Sequence, residues 1–243
     1  MKPGFFCQPS AALVINSAVD QWNSIARQCI EERGRFIVAL SGGKTPVEFY
    51  RRLAKSIDPG LWSKTHIFAV DERCVPANHR DSNFLLVRQA LLDPISLASN
   101  VHWPFIQGTD PQEAANQYEH VLKDFFEDQI QGYPQLDLVC LGIGEDGHTA
   151  SLFPGDITLE EKNRCIAPVY RSDGGPHRIT LTLPVLNQAR HVFFLVLGAS
   201  KARIMAKICQ KGCDLPASRV FFKQGKVYVF LDQAADSMRG IPS

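Results

Sequence analysis

The chain has 243 residues, 45% of them hydrophobic and 21% charged, enough to bury a full core as one large α/β domain or two small ones. Its 26 Lys and Arg against 25 Asp and Glu leave a formal net charge of +1, which gives no global field for a polyanion such as nucleic acid. Any anion must therefore be caught by a local site. The seven cysteines are odd in number and lack C-x-x-C spacing, so they read as reduced core thiols. The N-terminal "MKPGFFCQPSAALVIN" is a poor secretory signal, and no stretch is long enough to span a bilayer. A soluble, cytoplasmic protein is expected, with no membrane partner.

In chain order, a helix over 12–32 is followed by the strand "RFIVAL" (35–40), a helix over 46–56 and the strand "HIFAV" (66–70). Helices over 82–92 and 111–130 lead to the strand "LDLVCLG" (136–142). The stretch 153–178, punctuated by Pro154, Gly155, Gly174, Gly175 and Pro176, reads as loop-rich, an insertion or flexible region. The strand "HVFFLVLG" (191–198), a helix over 200–210 and the strand "KVYVFL" (226–231) close the chain. Such alternation predicts an α/β fold with a mostly parallel sheet covered by helices. No repeat or long linker divides residues 1–243, so one domain is expected.

Ligands of open α/β sheets sit outside the carboxyl ends of the strands. Four such ends carry glycine, charge or hydroxyl: "SGGKTP" (41–46), "DERCVP" (71–76), "GEDGHT" (144–149) and "GASK" (198–201). At the first, Gly42 and Gly43 leave backbone amides uncovered, and Thr45 with Glu48 spells a capping box with Pro46 at the first helical position. A helix opening there with free N–H groups is a ready phosphate site, though a plain capped turn would read the same. At the second, Asp71, Glu72 and Arg73 suit a polar substrate with an oxyanion to stabilise, or a surface ion-pair cluster. Asp81 or Ser82 is placed to cap the helix starting near Asn83.

Gly142, Gly144 and Gly147 match G-x-G-x-x-G, but Pro154 and Gly155 arrive before a helix could follow, which disfavours a dinucleotide. Asp146, His148, Asp71, Glu72 and His79 show no recognised metal-ligand spacing. His148 in its glycine-rich turn suits acid–base work near neutral pH, or is a merely hydrogen-bonded loop histidine. Arg178, opening a strand-like run, and Lys201, at a helix start, would together clamp a phosphate, though either alone reads as a solvated cation.

Taken together, "SGGKTP", "DERCVPANHRDSN", "LDLVCLGIGEDGHTASLFPG", "HRITLTLPVLNQARHVFFLVLG", "KARI" and "LPASRV" resemble the 6-phosphogluconolactonase family, in order and across nearly the whole chain. One departure is Lys44, where that family has a small hydroxyl residue. The resemblance implies a Rossmann-like fold shared with glucosamine-6-phosphate deaminase and ribose-5-phosphate isomerase. It also implies hydrolysis of 6-phospho-D-glucono-1,5-lactone to 6-phosphogluconate in the oxidative pentose phosphate pathway, without organic cofactor or obligatory metal. The partner is then a small sugar phosphate, taken by a monomer or small homo-oligomer. On these residues, His148 would be the general base, with Asp146 orienting it or holding the water. Arg73 would stabilise the oxyanion or the leaving ring oxygen, and Asp71 would position sugar hydroxyls. Ser41, Gly42, Gly43, Lys44, Thr45, Arg178 and Lys201 would hold the phosphate. The rivals are the sister deaminase and a non-catalytic sugar-phosphate sensor. After "GEDGH" the deaminase carries a nearby glutamate, whereas here "TASLFP" follows, and Arg73 stands where the deaminase has tyrosine.

Overall fold

A computed structural model describes residues 3–56, 58–97, 99–106, 110–126, 132–221 and 225–239. Its strands are β1 (Gly4–Gln8), β2 (Phe36–Leu40), β3 (Thr65–Ala69), β4 (Asp71–Arg73), β5 (Val101–His102), β6 (Leu138–Leu141), β7 (Ile166–Val169), β8 (Arg178–Leu181), β9 (His191–Val196) and β10 (Lys226–Asp232). Among the described residues, seven of them pair in parallel in the order β1-β10-β9-β6-β2-β3-β5. The other three form a small antiparallel sheet, β4-β8-β7. The expected α/β fold with a parallel sheet is what the chain adopts.

β2 shows why the central strands read as unbroken apolar runs. Phe36, Val38 and Leu40 face one layer of helices, where Val14, Ala18, Trp22 and Ile25 of the Ala11–Arg33 helix meet Phe49, Tyr50 and Leu53 of the Thr45–Ser56 helix. Ile37 and Ala39 face the other, built from Ala115, Tyr118 and Leu122 of the Pro111–Phe125 helix and Met205 and Ile208 of the Ala202–Ile208 helix. With both faces covered, no position of the strand is left for a polar residue. Trp22 centres the first layer, its ring edge-on to Phe36 at 5.3 Å and to Phe49 at 5.9 Å.

Four strands depart from the sequence reading, among them β5, only two residues long. β1 is short and mostly exposed, yet pairs in register with β10, Gly4 opposite Tyr228 through Gln8 opposite Asp232. β7 lies inside the stretch expected to be loop, and a 3-10 turn at Ile157–Glu160 precedes it. Pro168 disguised it: proline cannot serve a central strand, but β7 is the edge of the small sheet, where a missing N–H costs no ladder bond. β4 is three residues long, too short for any periodicity. The end of the helix expected over 111–130 falls outside the described residues beyond Phe126.

Val70 joins the two sheets. Its N–H donates to the Leu40 carbonyl of β2 (2.9 Å), and its carbonyl accepts from Leu181 N of β8 (2.8 Å). The chain thus leaves the parallel sheet at the end of β3 and enters β4 within one residue, which sets the small sheet beside the carboxyl ends of the large one.

At the far edge, His66 of β3 and His102 of β5 share a hydrogen bond, Nδ1 to Nε2 at 3.1 Å, beside Phe68 and Phe125. Burial holds both imidazoles below the usual 6.5, helped by Arg35 near His66 and by His66 near His102. An unfolded chain therefore binds more protons just below pH 6.5 than the fold does. The stability is fully present above that pH and is lost as pH falls through the lower folded values. Urea midpoints should drop between about pH 7 and about pH 5, and a His66→Gln/His102→Gln variant should show a flatter dependence over that range.

Candidate active site

A cavity of about 320 Å³ opens at the carboxyl ends of the parallel strands. Ser41, Gly42, Gly43, Lys44 and Thr45 line it from the end of β2, Asp71 and Arg73 from β4, His148 from the turn after β6, Arg178 from β8 and Lys201 from the turn after β9. Asp146 stands behind His148 rather than on the wall. All four polar strand ends singled out in the sequence meet at this one place.

The antiparallel register of β4 and β8 sets Arg73 directly opposite Arg178, and Asp71 opposite Thr180. Like charges facing each other across a ladder repel, so the arrangement needs anionic or carbonyl partners. Arg73 donates through Nη1 to the Asp81 carbonyl (2.7 Å), and Arg178 through Nη1 to Ser151 Oγ (3.4 Å). Both Nε atoms are buried without a hydrogen-bond partner. Burial pulls the Arg178 guanidinium below its usual range against the attraction of Asp71, and the charges of Arg73 and Arg171 add to the pull. An incoming anion would relieve the repulsion.

His148 is oriented by its own turn. Asp146 Oδ1 accepts from His148 N (3.0 Å) and lies 2.6 Å from Nδ1. Burial opposes ionisation of Asp146, but these contacts with His148 outweigh it and hold the carboxyl below its ordinary value. A carboxylate only accepts, so Nδ1 carries the proton and Nε2 of the neutral ring keeps its lone pair free. The pair sits directly over Gly144, where a Cβ would lie 2.1 Å from Nδ1 and 2.5 Å from Asp146 Oδ1. Glycine at this position makes room for the histidine and carboxylate, which accounts for the middle glycine of the G-x-G-x-x-G string without a dinucleotide. The turn is held from outside by Ala217 N, which donates to the Gly147 carbonyl (3.1 Å).

The first strand end differs in detail from its reading. The helix opens at Thr45 itself, and Glu48 is drawn toward Arg51 and Arg52 at 3.8 and 4.0 Å instead of closing a reciprocal cap. Ser41 lines the cavity, but its hydroxyl donates to the Cys140 carbonyl (2.8 Å) and its carbonyl accepts from Tyr50 (2.6 Å). Its side chain is thus committed to the fold, and Lys44 is exposed at the rim. Lys201 ends a 3-10 turn at the start of the Ala202–Ile208 helix and faces the same space.

Glu72, grouped in the sequence with Asp71 and Arg73, points away from the cavity into a clamp. It accepts from Asn83 N (2.8 Å), Phe84 N (2.7 Å), Arg73 N (2.7 Å), Trp103 Nε1 (2.8 Å) and Ser82 Oγ (3.3 Å). Burial pushes its carboxyl up, while the hydrogen bonds work to keep it ionised. It docks the start of the Asn83–Val87 helix, whose N-cap is Ser82 as expected. The polar cluster at β4 therefore splits by strand alternation: Asp71 and Arg73 go to the site and Glu72 to the scaffold.

Two residues of the site escaped sequence reasoning. Asn83, 1% exposed, donates from Nδ2 to the Asp71 carbonyl (2.9 Å), and its unpartnered Oδ1 presses on the glycine turn. A Cβ on Gly42 would sit 1.7 Å from that oxygen. Ser151, fully buried, donates to Asp71 Oδ2 at 2.5 Å and so connects Asp71 to Arg178. Asn83 had a signal, since it follows a helix cap close behind a charged strand end; Ser151 had none. Among the described residues, no three His, Cys, Asp or Glu side chains converge as a metal cage.

Residues 9–229 match the family of Glucosamine-6-phosphate isomerases/6-phosphogluconolactonase. A 6-phosphogluconolactonase of Synechocystis sp. is 42% identical over 212 residues, 86% of each chain. That of Nostoc sp. is 39% identical over 238 residues, covering 97% of this chain and 98% of its own. The crystal structure of 6-phosphogluconolactonase from Thermotoga maritima superposes with a TM-score of 0.81 at 29% identity, covering 95% of this chain and all of the other. On fold, site and relatives alike, the chain belongs to the glucosamine-6-phosphate isomerase/6-phosphogluconolactonase family.

Proposed function

We propose that this protein is a 6-phosphogluconolactonase, hydrolysing 6-phospho-D-glucono-1,5-lactone to 6-phosphogluconate in the oxidative pentose phosphate pathway. The observation that carries the reading is the pairing of opposite chemistries across one cavity: a histidine with a free Nε2 on one wall, two facing guanidiniums on another. Nε2 of His148 takes a proton from the water that attacks the lactone carbonyl, while Asp146 fixes the tautomer and stabilises the imidazolium formed. Arg73 meets the oxyanion of the tetrahedral intermediate. The ring oxygen leaves as it takes from His148 the proton removed from water, giving the open hydroxy acid. Arg178, Lys201 and the Gly42–Gly43 amides grip the 6-phosphate, so binding energy remote from the carbonyl orients the ester. Asp71, held by Ser151, is left to position sugar hydroxyls. The cytoplasmic location expected from the sequence belongs to the same proposal, and cell fractionation checks it.

The deaminase reading lacks its carboxylate. The first acidic residue after His148 is Asp156, and its Oδ1 accepts from Thr158 N (2.9 Å) and Thr158 Oγ1 (2.8 Å) as the cap of the Ile157–Glu160 turn. It is engaged in local structure and is not poised for ring opening.

The direct test follows hydrolysis of freshly prepared 6-phosphogluconolactone, coupled to 6-phosphogluconate dehydrogenase and corrected for spontaneous opening. Acceleration by the protein without turnover of glucosamine 6-phosphate is expected; turnover of the amino sugar alone would replace the lactonase with the deaminase. His148→Ala should lower kcat by roughly 10²–10⁴, the range for a lost general base. Arg178→Met should instead act mainly on KM, raising it by roughly 10–10² for lost charge-assisted hydrogen bonds.

A further inference from the structure

His148 faces a problem of order that its pairing with Asp146 does not solve. The side chains of His148 and Asp146 are 31% and 50% exposed, so the two hold each other on an open turn with solvent beside both. An imidazole fixed by one hydrogen bond can still swing about it. A second contact falls on the ring: Phe153, with centroids 4.7 Å apart and planes tilted by 42°. Phe153 is half-buried and does not line the cavity. It is in turn covered by the guanidinium of Arg171, 3.9 Å from its centroid, with that of Arg178 farther off at 5.4 Å. Arg171 belongs to the connection between β7 and β8 and is itself pinned: Nε and Nη2 both bond Asp173, and its N–H donates to His177 Nδ1 (3.0 Å).

We propose that Phe153 is a positioning residue for the base, and that Arg171, latched by Asp173, holds Phe153 in place. The clamp is a stack in which each layer fixes the next: the carboxylate sets the guanidinium plane, the guanidinium sets the phenyl ring, and the ring stops the imidazole from turning away from Asp146. A planar guanidinium suits this task because it stacks on an aromatic face while keeping in-plane donors for the carboxylate. The stretch that reads as a loose loop in the sequence thereby becomes part of the catalytic scaffold, since the small sheet carries Arg171 to the outer side of the histidine. This inference rests on His148 acting as the base, but its structural half can be read without turnover.

The experiment uses Phe153→Leu, Phe153→Tyr, Arg171→Ala, Arg171→Lys and the Phe153→Leu/Arg171→Ala double variant of the full chain, with thermal unfolding confirming the fold of each. Nitrogen-15 NMR of the His148 ring, assigned by comparison with His148→Gln, reports the tautomer. Wild type should carry its proton on Nδ1 alone, and Phe153→Leu and Arg171→Ala should show a mixture. In the lactonase assay, Phe153→Leu should lower kcat about tenfold, as expected for a reacting group out of alignment, with KM changed less than about twofold. Phe153→Tyr should restore kcat. Arg171→Lys should behave as Arg171→Ala, because the charge survives and the plane does not. The double variant should be no slower than Phe153→Leu, the mark of two residues acting through one path. A rise in KM at constant kcat for Arg171→Ala would overturn the proposal by making Arg171 a direct substrate contact. Multiplying effects in the double variant, or an unmixed tautomer in Phe153→Leu, would overturn it as well. Absence of lactonase activity in wild type would instead defeat the functional reading and leave the NMR comparison to decide the clamp.

Discussion

Arg73 and Arg178 face each other across the β4–β8 ladder, and much of the site follows from keeping two like charges there. A backbone carbonyl anchors the half-buried guanidinium of Arg73 and a hydroxyl that of Arg178, and each keeps a buried Nε unpaired. The surrounding structure serves to tolerate this. Asp71, two residues before Arg73 and on the same face of β4, supplies negative charge to Arg178. Ser151 bonds both Asp71 and Arg178. Val70 fixes where β4 begins, so the pair meets the cavity and not the core. A scaffold that accepts such repulsion without substrate is prepared for an anion, and it spends little rearrangement when one arrives.

The same logic explains the division of labour between the two sheets. The parallel sheet supplies rigid strand ends, and the turns leaving them carry the base, the glycine amides and Lys201. The small antiparallel sheet supplies the opposing cations and, through the β7–β8 connection, the Arg171 guanidinium that covers Phe153. Asn83 ties the two together, since its amide bonds the Asp71 carbonyl and its oxygen packs against Gly42. A side chain at Gly42 would push this contact apart and with it the spacing between the phosphate turn and the arginines.

Legibility in the sequence tracked burial on both faces. β2, β3, β6, β9 and β10 lie between two helical layers, so they appear as apolar runs that need no knowledge of the fold. β1, β4 and β7 are short or lie at a sheet edge, where polar residues and even Pro168 are admitted, and no local pattern marks them. At the site, the residues predicted to act do gather, because glycine and charge after a buried strand have few other reasons to occur together. Side-chain direction was not legible. Glu72 looks in sequence like a partner of Asp71, yet strand alternation sends it to the opposite side, into five hydrogen bonds that dock a helix. Ser41 likewise reads as a phosphate ligand, while its hydroxyl is taken by the Cys140 carbonyl.

The measurement that tests the account most directly is the ratio of kcat/KM for 6-phosphogluconolactone to that for the same lactone without its phosphate. Arg178 and Lys201 facing one cavity predict a preference for the phosphorylated substrate of roughly 10²–10⁴, the worth of two charge-assisted hydrogen bonds. Equal values for the two lactones would mean that the cations do not grip a phosphate, and would contradict the account at its centre.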